Sequence, residues 1–227
     1  HTFTTQDGLA SNYVTALAQA PDGTLWVGTT RGISHYNGVE WKTYTVRTTE
    51  GKLPSNDISA VVTDRKGRLW FGTLDAGVVR YDPSAPPYKR WRTYTTRDGL
   101  GHNTVLALME DREGRLWAGT ESGLSLFDGE RWSNYVLSQE PDANRVTAIL
   151  QDATGQMWLG TRAGLIRCAI GAWDKCAPLK ELGPVWILTI YQDRQGRLWV
   201  GTGGYGLWMY DGSSWRNYTR AAGLPDH

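Results

Sequence analysis

Five copies of one seven-residue phrase decide the fold of this chain. They read GTLWVGT (23–29), GRLWFGT (67–73), GRLWAGT (114–120), GQMWLGT (155–161) and GRLWVGT (196–202). Their tryptophans, at positions 26, 70, 117, 158 and 199, are 44, 47, 41 and 41 residues apart. A repeat of this length is typical of one four-stranded blade. The period therefore predicts an all-β, five-bladed β-propeller with four antiparallel strands per blade.

The turns between the predicted strands have recognisable chemistry. The apolar run before each phrase ends in aspartate four times, at Asp64, Asp111, Asp152 and Asp193, and the phrase begins with glycine. Aspartate can accept a hydrogen bond from the backbone two residues on, and glycine adopts positive φ at little cost. An Asp-Gly pair such as Asp128-Gly129 closes a hairpin later in the repeat. Each unit therefore reads as strands A, B, C and D in order.

Composition places all 227 residues in one predicted domain, residues 1–227, with repeats of about 41 to 47 residues. Lys plus Arg number 24 and Asp plus Glu 23, for a formal charge of +1. A chain without an excess of positive charge is a poor partner for nucleic acid. No apolar run approaches the roughly 18 residues that span a bilayer, so no membrane insertion is expected in this segment.

The stretch from Asn103 through Tyr135 matches a known pattern nearly letter for letter: NxVxAIxxDxxGxLWxGTxxGLxxYDGxxWxxY. On these motifs the whole chain resembles the two-component regulator propeller repeats. The resemblance implies a non-catalytic ligand-binding or sensing module, like the extracytoplasmic sensor region of hybrid two-component regulators. It also implies a periplasmic or extracellular location and a place in a longer sensor chain. Two alternatives stay open: a lyase-type propeller enzyme of the streptogramin-inactivating kind, and a protein-interaction or structural propeller.

The two cysteines occupy aromatic positions of the repeat. Aligning the fourth repeat on the third places Cys168 on Phe127 and Cys176 on Tyr135. In a hairpin turning near Ala172 these positions face each other at about the distance that a disulfide needs. The paired replacement favours a disulfide over two small buried thiols, and a disulfide implies an oxidising compartment.

Other motifs point away from cofactors and metals. Residues 201–206 spell the dinucleotide fingerprint GxGxxG, but a strand follows where that fingerprint requires a helix, so a hairpin is predicted. Each Asp-x-x-Gly turn offers one carboxylate, too few for calcium. The accompanying arginines, Arg68, Arg115 and Arg197, are interpreted as a solvated face. The histidines at positions 1, 35, 102 and 227 lack metal-ligand spacing, and His102 has no acidic partner in the repeat for lyase chemistry.

Positions that change while the repeat stays constant are candidates for binding. The D-to-A and B-to-C loops are expected on one rim of the propeller, around the channel. There the sequence varies most at the start of strand A and in the B-to-C loop. The predicted ligand-binding residues are Tyr13, Asp57, Thr104, Arg145 and Trp186 at the first position and Arg31, Asp75, Glu121, Arg162 and Tyr205 at the second. This mixture suits a small molecule or a glycan, and ordinary surface variation is the alternative.

The two ends carry the same part of the repeat, so six D strands are available for five blades. Residues 2–5 and 215–219 compete for the outer edge of the last blade. The C-terminal copy follows strand C through the tight Asp211-Gly212 hairpin, which keeps its loop-closure cost small. It is therefore expected to take that edge.

Overall fold

The computed structural model describes residues 2–169 and 176–224. In this part of the chain, five sheets of four antiparallel strands form the all-β, five-bladed propeller that the repeats predict. Among the described residues, helix is confined to one turn of α-helix, α1 (Pro141–Asn144), and to 3-10 turns at Pro87–Lys89, Thr96–Asp98 and Arg220–Ala222. None of these described helices has the length and apolar character needed to cross a bilayer.

The strands follow one another in sheet order within every blade. The first blade contains β1 (Val14–Gln19), β2 (Leu25–Thr29), β3 (Gly32–Tyr36) and β4 (Trp41–Tyr44). The second contains β5 (Ile58–Thr63), β6 (Leu69–Thr73), β7 (Val78–Tyr81) and β8 (Trp91–Tyr94). The third contains β9 (Val105–Glu110), β10 (Leu116–Thr120), β11 (Gly123–Phe127) and β12 (Trp132–Tyr135). The fourth contains β13 (Val146–Gln151), β14 (Gln156–Thr161), β15 (Gly164–Ala169) and β16 (Ala177–Pro178). The fifth contains β17 (Ile187–Gln192), β18 (Leu198–Thr202), β19 (Leu207–Tyr210) and β20 (Trp215–Tyr218).

The chain divides into two compact units, residues 1–120 with 125–134 and residues 121–124 with 135–227. In the first unit, the tryptophan of each seven-residue phrase lies in a core shared with the next blade: Trp26 packs near Phe71, and Trp70 near Phe127. In the second unit, Trp158 packs near Trp215 in the same way. The extent of a single domain over residues 1–227 remains a prediction.

Glycine in the phrase allows neighbouring blades to approach closely. A Cβ atom built on Gly72 would lie 2.8 Å from Val105 Cγ1, and one on Gly160 would lie 2.6 Å from Ile187 Cγ2. Both distances are shorter than real Cβ contacts, so a larger residue would push the next strand A away. A β-bulge near the start of strand A adds a hydrogen bond between blades, because the Thr147 hydroxyl donates to the Ile187 carbonyl at 2.5 Å.

The turn aspartates cap their turns as predicted, and they also hold the tryptophans. Asp64 Oδ1 accepts hydrogen bonds from the backbone N–H groups of Lys66 and Arg68 at 3.0 and 2.9 Å. Asp64 Oδ2 accepts from Trp70 Nε1 at 2.7 Å. Asp111, Asp152 and Asp193 repeat this pattern, and in each case the indole bond is 2.8 Å long. One carboxylate therefore fixes both the A-to-B turn and the tryptophan of strand B.

The interpretation of the accompanying arginines as a solvated face is wrong. The Nε atoms of Arg68, Arg115 and Arg197 lie 2.6, 2.7 and 2.7 Å from the second oxygen of their turn aspartates. Their guanidinium groups also lie 5.4 to 5.9 Å from the tryptophan ring centres. The arginine is drawn inward because the carboxylate is buried beside the indole and needs a second donor.

The fourth blade contains the predicted disulfide, with Cys168 and Cys176 Sγ atoms bonded at 2.06 Å. Cys168 lies in β15, and Cys176 directly precedes the two-residue strand β16. The predicted turn near Ala172 lies outside the described residues.

The outer edge of the last blade is formed by β20, as predicted from its short hairpin. The competing N-terminal copy forms no strand over residues 2–4. Its Phe3 ring packs instead 5.4 Å from the ring centres of Tyr36 and Trp41 in the first blade. The GxGxxG segment is the predicted hairpin between β18 and β19, in which Thr202 N donates to Gly206 O at 3.2 Å.

Candidate functional site

The ten predicted binding residues lie where the sequence places them within each blade. One precedes every strand A, and the other lies between strands B and C of the same blade. These two positions are adjacent because the segment after strand B hydrogen-bonds to the residue before strand A. Thr30 N donates to Tyr13 O at 3.3 Å, and Gly203 N donates to Trp186 O at 2.8 Å. Each blade thus presents a pair of variable residues at one end of its first two strands.

Four of the predicted residues form a contiguous group in the second unit. Arg145 Nη2 lies 3.0 Å from Glu121 Oε1, and Arg162 N donates to the Arg145 carbonyl at 3.3 Å. The Arg162 guanidinium lies 5.8 Å from the Trp186 ring centre and its Nε atom 3.8 Å from an Asp142 carboxylate oxygen. This series of contacts combines an aromatic ring with two cations and two anions.

The Trp186 ring owes its position to a glycine. A Cβ atom on Gly203 would lie 3.0 Å from the ring, so a larger residue would displace the ring from the B-to-C loop by a few tenths of an ångström. The ring remains 44% exposed, and Tyr205 in the same loop is 59% exposed. A large aromatic ring held on the surface by a polar neighbourhood is a common element of ligand-binding surfaces.

The predicted residues of the first unit are less closely connected. Asp57 and Thr104 meet at Leu74, because Leu74 N donates to Asp57 O at 3.2 Å and Thr104 Oγ1 donates to Leu74 O at 2.8 Å. Asp75 follows directly in the chain. Tyr13 is 77% exposed. Three polar residues of this unit therefore lie together at the B-to-C loop of the second blade.

A cavity of about 270 Å³ in the first unit is built by segments that are longer than in the other repeats. The hairpin between β7 and β8 has nine residues, whereas the one between β3 and β4 has four. The spacings of 44 and 47 residues signal these insertions, but spacing alone does not show that they meet. Burial, together with the neighbouring Tyr81, raises the pKa of Tyr44 to about 12. The cavity lining includes Lys42, Tyr44, Lys52, Tyr81, Arg90 and Trp91.

A model of the family described as "Two component regulator propeller" matches residues 8–31, 52–75, 99–122, 141–163 and 181–204. These five matches cover just over half of the chain and coincide with the five seven-residue phrases and the apolar runs before them. The chain belongs to the two-component regulator propeller family. No curated protein matches this regulator propeller in sequence.

Solved structures of similar fold include two extracellular propeller domains from B. thetaiotaomicron. One is the extracellular domain of BT3049, assigned to the hybrid two-component systems, with a TM-score of 0.81 and 20% sequence identity. The match covers 95% of this chain and 31% of that chain. The other is that of BT4673, assigned to the one-component systems, with a TM-score of 0.71 and 21% identity over 87% of this chain and 27% of that chain. The regulator propeller therefore spans less than a third of the length of these chains.

A virginiamycin B lyase from Staphylococcus aureus, crystallised in a catalytically inactive form with quinupristin, has a TM-score of 0.71 and 15% identity. The match covers 96% of this chain and 72% of the lyase chain. At this identity the likeness concerns the fold alone.

The two described histidines of the regulator propeller have structural contacts. His102 Nδ1 accepts a hydrogen bond from Thr104 N at 3.0 Å, and the His35 ring centre lies 4.3 Å from that of Trp26. Among residues 2–169 and 176–224, no three His, Cys, Asp or Glu side chains converge as metal ligands would.

Proposed function

We propose that this regulator propeller is a non-catalytic sensor module that binds a small molecule or glycan outside the cytoplasm, within a longer sensor chain. Family membership supports this proposal, as does the likeness to extracellular propeller domains of two-component systems. The ligand is bound by the variable residues before strand A and in the B-to-C loops. In this role the constant residues of the repeat build the scaffold.

The observation that carries the proposal is the group around Trp186. Its ring lies against Gly203, neighbours the Arg162 guanidinium and is nearly half exposed. Exposing the apolar surface of a tryptophan ring to water is unfavourable in free energy, and a ligand ring that stacks on it removes part of that surface from water. The nearby Glu121–Arg145 pair supplies both donors and acceptors for hydroxyl or carboxyl groups. Such a surface selects a ring-shaped polar ligand.

The disulfide supports a location outside the cytoplasm. Cys168 is only 1% exposed and joined to Cys176, and disulfides of this kind persist in the periplasm or outside the cell. The extracellular propeller domains of similar fold point to the same compartment.

The experiment is a thermal-shift screen of mono- and oligosaccharides and small metabolites, followed by calorimetry on each hit. Trp186→Ala is expected to weaken the binding of a genuine rim ligand at least about fivefold, because stacking on one ring contributes on the order of 1 kcal/mol or more. Tyr88→Ala is the matched control, since Tyr88 is 75% exposed on the C-to-D hairpin of the second blade. Ligands that bind the Trp186→Ala variant as tightly as the parent would refute this site.

A further inference from the structure

The first blade lacks the aspartate that every other blade uses to hold its tryptophan. Ala20 occupies the position of Asp64, Asp111, Asp152 and Asp193. Its turn nevertheless has the same backbone. Ala20 N donates to Thr24 O at 2.9 Å and Gly23 N to Ala20 O at 2.9 Å, as Asp64 N donates to Arg68 O and Gly67 N to Asp64 O at the same distances. The carboxylate is missing from this turn, and Thr24 stands where Arg68 pairs with it in the second blade.

The consequence is an indole N–H group with no acceptor among the described residues. Trp26 pairs with Ala18 in the register in which Trp70 pairs with Val62. Its side chain is 4% exposed. In the second blade Trp70 Nε1 donates to the aspartate, whereas Trp26 Nε1 donates to no other described residue. The indole N–H is therefore available to an acceptor that enters beside Ala20, and an ionised acceptor makes the stronger hydrogen bond.

Space for such an acceptor exists beside Ala20. A cavity of about 310 Å³ is lined by Ala20 and Trp26. The corresponding cavity at Trp70 has a volume of about 100 Å³ and is lined by Asp64, and the one at Trp158 has about 260 Å³ and is lined by Asp152. In the first blade, therefore, the cavity contains the indole donor but no turn carboxylate beside it.

The rest of the lining defines the ligand. Its apolar part consists of Pro21, Leu69, Tyr81 and Pro83, together with Tyr44. Its polar part includes His35, the cationic Lys66 and the anionic Asp22. The Asp22 carboxylate is already occupied, because Oδ1 accepts from Thr24 N at 3.0 Å and from Thr24 Oγ1 at 2.7 Å. It does not reach the indole, so the acceptor site stays vacant.

We propose that this cavity binds a small monocarboxylate with an apolar or aromatic body. The carboxylate of this ligand takes the place of the missing aspartate and accepts a hydrogen bond from Trp26 Nε1. The body of the ligand lies against the tyrosine and proline side chains, and Lys66 neutralises part of its charge. This site is separate from the rim residues, and its existence does not depend on the sensor role.

Benzoate is the probe, and benzyl alcohol is its neutral match. Benzoate is expected to bind with a dissociation constant on the order of 1 mM, as suits so small a ligand, and benzyl alcohol at least tenfold more weakly. The measurement is a titration monitored by the indole N–H and backbone resonances in NMR spectra. Binding should shift the Trp26 indole resonance, whereas surface binding of benzoate would leave it unchanged and would overturn the proposal.

Two substitutions test the site itself. Ala20→Asp supplies the carboxylate internally and is expected to weaken benzoate binding at least tenfold while the protein stays folded. Trp26→Phe removes the donor and keeps an aromatic ring, and it should weaken benzoate but not benzyl alcohol. Trp186→Ala, on the rim, should change neither. Unchanged benzoate affinity in Ala20→Asp, or no saturable binding to the parent, contradicts the proposal.

The imidazole of His35 provides an independent readout. Burial lowers the pKa of His35; Asp22 acts in the opposite direction, and Lys42 adds to the lowering. Lys66 is the other charged group that lines the cavity. A bound carboxylate favours the imidazolium form, so benzoate should raise the His35 pKa measured by NMR. In Ala20→Asp that pKa should be raised without ligand and should no longer respond to benzoate.

Discussion

Replacing Asp152 with asparagine is expected to destabilise the second unit by about 2 kcal/mol. The carboxylate is buried, with Oδ2 accepting from Trp158 Nε1 at 2.8 Å and Oδ1 accepting from Thr154 N and Gln156 N at 2.8 and 3.0 Å. Asparagine can keep the Oδ1 bonds that cap the turn. Its amide nitrogen would then face the indole N–H, so two donors oppose each other. Loss of one buried, charge-assisted hydrogen bond costs about 1.5–3 kcal/mol.

Alanine at the same position should cost more, about 3 kcal/mol, because the turn cap is also lost. Both variants are measured by urea unfolding, followed by tryptophan fluorescence and circular dichroism. Asp152 suits this test because no arginine pairs with it in the described part of the chain, unlike Asp64, where Arg68 Nε is 2.6 Å away.

The refutation comes from a double-mutant cycle with Trp158→Phe. Phenylalanine has no N–H group, so Asp152→Asn in that background should cost about 2 kcal/mol less than in the parent. An equal cost in both backgrounds would show that the indole hydrogen bond contributes nothing. The aspartate would then act on the turn alone.

Three further predictions concern stability. Reducing the Cys168–Cys176 disulfide should destabilise the second unit by about 2–3 kcal/mol, the loop-closure value for a short loop. Urea unfolding midpoints with and without dithiothreitol measure this change. The midpoint of the Cys168→Ser, Cys176→Ser double variant should not change with dithiothreitol. Ala20→Asp should raise stability by about 1 kcal/mol, and a lower thermal midpoint would contradict the missing-acceptor argument. Burial alone raises the pKa of Asp111 and Asp152, but hydrogen bonds from side-chain and backbone donors outweigh it, so both pKa values lie below 3.8. The stability that these ionised carboxylates contribute is therefore complete above the unfolded pKa and is lost as the pH falls through the lower folded values. The melting temperature should decrease as the pH is lowered below about 4, and the decrease should be less steep in the Asp152→Asn variant.

Much of the fold can be predicted from the sequence because each repeat encodes its own local hydrogen bonds. The Asp-x-x-Gly turn, the strand B phrase and the Asp-Gly hairpin act within a few residues of each other, so five copies predict five similar sheets. Cys168 and Cys176 are predicted as partners for the same reason, since the strands on either side of one hairpin face each other. The outer position of β20 follows from the short loop before it.

The candidate site is less predictable, because its residues come from different repeats. The sequence places Arg162 and Trp186 at variable positions, but their proximity depends on how the fourth and fifth blades pack. The arginines beside the turn aspartates are misjudged for a related reason. The sequence of the turn does not show that its carboxylate is buried and draws a guanidinium towards it.

By itself, the sequence determined the number of blades, the order of their strands, the chemistry of the turns and the pairing of the cysteines, because these depend on neighbours in the chain. Only the tertiary structure decided what the exceptions to the repeat do. Ala20 is one irregular residue of the repeat until packing shows the largely buried Trp26, whose indole N–H has no acceptor among the described residues, and a cavity of about 310 Å³ beside it. Cavities and unpaired donors are properties of packed surfaces, and residues far apart in the chain create them together.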